Sequence, residues 1–480
     1  MAETYSFDNL ATYLGTLVDE AINSTMACLM PPFSGSVQSG FTGWMGGSEP
    51  LRISPLGGHY EGSSFVPGGQ VTDQRTGDPA LFRILDGGWP FDDLQSMYDF
   101  YWKRVNDIFE PWWQTPMPAR FDAQVQQAAK LASTLNYSVQ SSVGPADTDY
   151  FPANGDLSDI QTIQQRVSNL DGAALLTFEQ NFSNRIDDVV DAQCAAAVLA
   201  WIGVAGEQKI WEKAHQSLAN IAGTGVEAMK HARPGGGGGG LKAIVNVLGA
   251  VALVAAEFAT EGLVTPLVVA GVGAQTASDF IPEGKEQETE EPLGAGDPVS
   301  VFDRIEAAVN DLKGKIRTEE HGISTRLGKL NTVMYGGSRG GFDLSEPTLA
   351  HVDDKSQLYR TGEIRADYDV IRDVAQRFIP RVSGALSSAS GLACDTGNDA
   401  WRRPDGIGLG TDGAYADWSS LNIAIKGVTL ETAKSLDTAA DALVILANDF
   451  GTSDAQVRLD MDGLAHRLDA AKAAAARNAH

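Results

Sequence analysis

A run of six glycines, Gly235 to Gly240, interrupts this 480-residue chain and leads directly into two apolar runs. Leu241–Ala256 and Leu263–Ala270, the latter continuing to Phe280, flank a short break that carries Glu257, Thr260, Glu261 and Gly262. The pattern predicts a hydrophobic helical hairpin behind a flexible hinge, with Glu257 and Glu261 at its tip. Each arm has about 16–18 residues, at the short limit for a ~30 Å hydrocarbon core. Two readings follow. The hairpin is either a buried pair covering the flanking helices, or an element that enters a membrane on a trigger. Carrying ionised Glu257 and Glu261 across a bilayer costs several kcal/mol, so low pH would ease insertion.

Around this segment the chain is dominated by helical periodicity. Leu10, Leu14, Leu17, Val18 and Ile22 mark an amphipathic helix within residues 4–29. From Met30 to about Pro90 glycine, proline and serine dissolve the pattern, and the stretch reads as mostly loop, with a short strand at Leu81–Leu85. Aromatic-rich helix resumes at Phe91–Ile108 and stops at Pro111; another helix starts near Arg120 and runs to about Val139. Residues 156–233 carry the strongest stripe, with a hairpin corner at Gly172. If unbroken to Ala232, its second helix is on the order of 90 Å long and needs a partner along its length. Gly203, Gly206 and Gly223 are its candidate bends. Helix returns at Val299–Val333 and, in the last module, at Ala366–Ser388, Tyr415–Asn448 and Ala455–Ala476.

These shifts divide the chain into an N-terminal helix and loop segment (1–90) and aromatic helices with a long helical hairpin (91–234). The glycine hinge, hydrophobic hairpin and acidic linker follow (235–298), then a long helix (299–341) and a C-terminal helical module (342–480). The expected fold is all-α and elongated.

Charge narrows the function classes. A net charge of −26 argues against nucleic-acid binding, which needs clustered cations, and disfavours docking on anionic lipid. Any membrane contact would be hydrophobic. Cys28, Cys194 and Cys394 are far apart with no CxxC pair, which argues against a disulfide framework or a zinc site. The beginning, MAETYSFDNLATYL, has neither basic n-region nor apolar core, and does not read as a Sec or Tat signal.

No pattern for catalysis emerges. The glycine run continues as Leu241-Lys242-Ala243, without the Lys-Ser/Thr of a phosphate loop. Gly336-Gly337-Ser338-Arg339-Gly340 has the letters of a nucleophile elbow, but a helix precedes it where a strand is required. The seven histidines fall in separate segments without ligand spacing and read as surface or capping residues. The expectation is a non-enzymatic protein with no cofactor and no metal.

Residues 156–232 resemble the WXG100-like helical hairpins of actinobacterial type VII (ESX) secretion substrates. The similarity is best at Leu170-Asp171-Gly172-Ala173-Ala174, Phe178 and Asn181-Phe182, and continues through Gln193 and Glu207-Gln208-Lys209-Ile210-Trp211. In that family the corner is Trp-x-Gly; here Leu170 stands in place of the tryptophan. Trp44-Met45-Gly46 matches the letters but reads as lying in loop. Such substrates carry Tyr-x-x-x-Asp/Glu just after the second helix of a hairpin. This chain has Phe450-Gly451-Thr452-Ser453-Asp454 after a predicted helix.

The resemblance implies export by a non-Sec route from the cytoplasm to the envelope or medium. Phe450 and Asp454 would be the docking point for a type VII secretion ATPase, with a WXG100-type protein as another partner. A membrane-inserting or pore-forming protein using residues 241–280, or an oligomerising scaffold, are the alternatives left open.

Overall fold

The composition of one segment decides the architecture. Between Val189 and Gly206 alanine, glycine, valine and other apolar residues occupy nearly every position, and the chain there is buried on all sides. A helix that is apolar all round must lie inside a bundle or a bilayer. Here it lies inside a bundle.

The computed structural model describes residues 5–29, 42–45, 50–53, 59–61, 64–66, 89–92, 94–136, 151–168, 175, 178–232, 240–245, 247, 249–250, 254, 289–336, 341–344, 368–394 and 396–449. It is mostly helical. In chain order the longer helices are α1 (Leu10–Leu29), α2 (Leu94–Phe109), α3 (Asp122–Leu135), α4 (Asp159–Val167), α5 (Ile186–Lys230), α6 (Pro298–Tyr335), α7 (Tyr368–Asp373), α8 (Ile379–Leu392) and α9 (Tyr415–Asp449). A π-helical turn, Val374–Phe378, joins α7 to α8.

The 45 residues of α5 span about 68 Å and form the axis. α3, α6 and α9 run antiparallel to it. Gln208 and Cys194 on α5 reach Asp122 and Ala132 on α3, and Gly225 and Gly203 face Ile305 and Leu327 on α6. Trp418 of α9 donates its indole N–H to the Ala200 carbonyl at 2.9 Å. α1 runs parallel to the C-terminal half, where the Ser24 hydroxyl donates to the Met229 carbonyl at 2.5 Å. The rod that the sequence expects to need a partner along its length is thus enclosed by its own chain. α5 is long and apolar enough to cross a membrane, with mean hydropathy 1.6 over its most apolar 18 residues, yet 94% of that window is buried. It is a core helix here.

Several expectations need correction. The second helix of the long hairpin is not continuous from Gly172. A π-helical turn at Glu179–Ser183 and a turn at Asn184 precede α5. Phe178 and Phe182 stack at 5.5 Å, and the Ser183 carbonyl freed at the break accepts from Gln164 Nε2 of α4 at 2.8 Å. α5 runs on through Gly203, Gly206 and Gly223. Gly203 and Gly223 serve close approach instead. A Cβ on Gly223 would sit 2.2 Å from the Tyr5 ring, and one on Gly203 would sit 3.1 Å from Leu327.

The first apolar run does not begin as helix. Lys242–Val245 is a strand, β5, paired antiparallel with Thr289–Pro292, β6, drawn from the acidic linker. Ala243 and Val245 point inward while Lys242 and Ile244 face out, an alternation that suits a strand lying on α5. Lys242 and Glu290 close the ribbon at 2.6 Å. The two ends of the hydrophobic excursion are therefore stapled together, and Val247, Ala250 and Val254 just beyond β5 are buried.

Residues 30–90, read as mostly loop, contain two antiparallel strand pairs. β1 (Thr42–Met45) faces β2 (Pro50–Ile53), and β3 (His59–Glu61) faces β4 (Ser64–Val66). Trp44 of the WxG letters is accordingly in a strand, where short extended stretches bracketed by Gly, Pro and Ser suit hairpins. The Leu81–Leu85 strand lies outside the described residues.

Candidate functional site

The residues singled out for function in the sequence sit just past the ends of described helices. Leu170, Asp171 and Gly172 follow α4, Phe450 and Asp454 follow α9, and all five lie outside the described residues, as do Glu257, Glu261 and Ser338. What the structure does describe is the hairpin in front of Phe450. α7 and α8 pair antiparallel with α9 through Ser390 with the Lys426 carbonyl, Ser383 with Asp437, and Arg372 with Asn448.

The most unusual chemistry lies elsewhere, in a charged cluster at the centre of the bundle. Glu207 projects from mid-α5, Glu320 from mid-α6, and Arg403 from the connection between α8 and α9. All three side chains are completely buried. Arg403 Nη1 donates to Glu207 Oε1 at 3.0 Å, and Nη2 approaches Glu320 Oε1 at 2.6 Å without hydrogen-bond alignment. The guanidinium lies 5.2 Å from the Trp211 ring, whose Nε1–H donates to Glu207 Oε1 at 3.0 Å. Arg403 also donates to the carbonyls of Gly410 and Trp401. Buried charges at zero exposure survive only when paired in this way.

Residues 404–413, Pro-Asp-Gly-Ile-Gly-Leu-Gly-Thr-Asp-Gly, close over the cluster. Gly406, Gly408, Gly410 and Gly413 all have positive φ, between 57° and 85°. Two of them are also forced by space: a Cβ on Gly408 would meet Glu320 Oε2 at 2.3 Å, and one on Gly413 would meet Arg403 Nη2 at 1.9 Å. The Leu409 amide donates to Glu320 Oε2 at 2.5 Å, and Ile407 is buried.

Two carboxyls share one guanidinium, so full ionisation would leave a net negative charge in the core. Burial, and then the neighbouring charge of Glu207, hold the Glu320 carboxyl well above the usual carboxylate range; Arg403 and the Leu409 amide oppose this only in part. Glu207 Oε2 has no hydrogen-bond partner, and Glu320 Oε1 meets Arg403 Nη2 without an aligned hydrogen bond. A proton on Glu320 leaves one carboxylate facing one guanidinium.

Polar connections extend from it. Trp401 Nε1 donates to Gln124 Oε1 on α3 at 2.8 Å, and Gln124 Nε2 returns to Thr396 and Gly397. His215, two turns along α5 from Glu207, is buried rather than on the surface or at a cap as the sequence suggested. It stacks on Phe7 at 4.0 Å and shares a 2.9 Å hydrogen bond with Thr115. Desolvation lowers its pKa to about 4, so it is neutral in the fold. Cys194 is a buried thiol pushed up to about 12, chiefly by burial, and is chemically quiet.

The cluster was partly visible in the sequence. Glu207 falls on the same helical stripe as Gly203, Trp211 and Ala214, and Glu320 on that of Ile316, Ile323 and Leu327. A carboxylate on an apolar stripe is the signal; what pairs with it is not. Fully buried, the cluster acts as a positioning element that ties α5, α6 and the glycine loop together. Among the described residues there is no group of three His, Cys, Asp or Glu side chains placed to hold a metal ion. No family model, curated protein or solved structure matches this chain.

Proposed function

We propose that this chain is a non-enzymatic helical protein exported by a type VII-like secretion system, with the C-terminal hairpin presenting its address. The observation that carries the reading is the antiparallel pairing of α7 and α8 with α9, which ends at Asp449, directly before Phe450. In sequence Phe450 and Asp454 come after the described residues of α9, the position at which substrates of the resembled family carry their aromatic and acidic pair. The partner on this reading is the secretion ATPase or a WXG100-type protein. The destination is the envelope or medium, reached from the cytoplasm.

The test replaces both residues, Phe450→Ala and Asp454→Ala, in the native host. The expected result is an unchanged cellular level with loss of the protein from the medium. Normal secretion of the double variant would overturn the proposal.

A further inference from the structure

We propose that the glycine loop 404–413 is a latch held by one proton: it stays closed while Glu320 keeps that proton, and is released when the proton leaves. Three observations carry this. The pair is wholly enclosed, with one guanidinium for two carboxyls. Glu207 Oε2 and Glu320 Oε1 each lack an aligned hydrogen bond, although Arg403 Nη2 stands 2.6 Å from the latter. And the loop is fastened through the same groups: the Leu409 amide to Glu320, the Arg403 Nε to the Gly410 carbonyl, and the Arg403 amide to the Thr411 carbonyl at 3.0 Å.

Other charged groups nearby are committed elsewhere. On α5, Lys209 pairs with Glu212, and His215 touches the cluster only through the edge of Trp211, at 6.2 Å between rings. On α6, Glu319 accepts from the Gly249 amide. On α3, Asp122 accepts from Gln208; on α9, Asp417 accepts from Ser324. Within the loop, Asp405 accepts from Gly406 and Asp412 from Asn398. Arg403 is the cation paired with both members.

The direction follows from linkage. The closed state binds the proton more tightly than the open state, in which the carboxyls are hydrated and have ordinary values near 4.3. Opening releases it. Below the ordinary value both states are protonated and opening is independent of pH. Above it, the opening constant rises about tenfold per pH unit until the closed state also loses its proton. Acid therefore fastens the latch and alkali loosens it.

Hydrogen exchange on the full chain, read on peptides covering residues 404–413 and corrected for intrinsic chemistry, tests this between pH 5 and 8. The wild type is expected to lose protection as pH rises, whereas Glu320→Gln, which cannot ionise, is expected to give a flat profile. A flat wild-type profile, rising protection, or an unchanged slope in Glu320→Gln would overturn the latch. Should that variant fail to fold, infrared spectroscopy of the wild type decides. A protonated carboxyl band shielded from solvent at neutral pH, lost as the loop opens, supports the proposal, and its absence refutes it.

Discussion

Removing Arg403 while leaving its two carboxyl partners in place should be among the most damaging single changes to this bundle. In Arg403→Met the aliphatic volume is roughly kept, so the effect isolates the charge and its donors. The variant loses the bond to Glu207 at 3.0 Å, the 2.6 Å approach to Glu320, the contact over Trp211, and the donors to the Gly410 and Trp401 carbonyls. With the side chains of all three members fully buried, no water replaces them. Stripping one partner from a buried ion cluster costs about 3–5 kcal/mol, most of it the penalty of the stranded charge. The triple variant Glu207→Gln, Arg403→Met, Glu320→Gln strands no charge and should recover at least half of that loss. Urea unfolding followed by circular dichroism, comparing midpoints at matched slopes, measures both. A loss under about 1 kcal/mol for Arg403→Met would refute this account. So would a triple variant no more stable than the single one.

Two further outcomes are expected. His215 has a folded value near 4 against 6.5 ordinarily, so its contribution is complete above 6.5 and lost as pH falls toward 4. That difference amounts to roughly 3 kcal/mol at full protonation of the unfolded chain, and His215→Gln should flatten the acid limb of a stability–pH curve by a comparable amount. Gly223→Ala and Gly314→Ala should act in opposite directions. The first drives a Cβ into the Tyr5 ring and should loosen residues 5–9, seen as faster proteolysis there, whereas the second places a methyl in open space mid-helix and should stabilise α6 by about 0.5–1 kcal/mol in thermal unfolding.

The helices were legible because each buries one stripe. Phe302, Ile305, Val309, Leu312 and Ile316 announce α6, and the structure places its bounds at Pro298 and Tyr335 within two residues of the periodic reading. β5 was not legible. Ile244 and Val245 sit in a continuous apolar run, where period alone cannot separate strand from helix, and the partner that decides the matter is β6, beyond residue 288. The two hairpins of residues 42–66 are short and surrounded by loop-forming residues, so their pairing outweighs a weak local pattern. His215 misled for a related reason. A histidine on an apolar stripe can face Thr115 and Phe7 only once a 3-10 turn from the N-terminus and the segment after α2 have been laid over it. The ion cluster needs three segments, each polar residue being unremarkable until the others arrive.

The enclosed axis also sets an order of events during synthesis. α5 is complete at Lys230, but α6 follows only from Pro298 and α9 only by Asp449, 219 residues after Lys230. At typical elongation rates this leaves α5 without its full cover for roughly ten to forty seconds. During that interval α5 presents to chaperones and membrane-insertion machinery a segment with the hydropathy of a spanning helix. A chain truncated before α9 would keep that identity permanently.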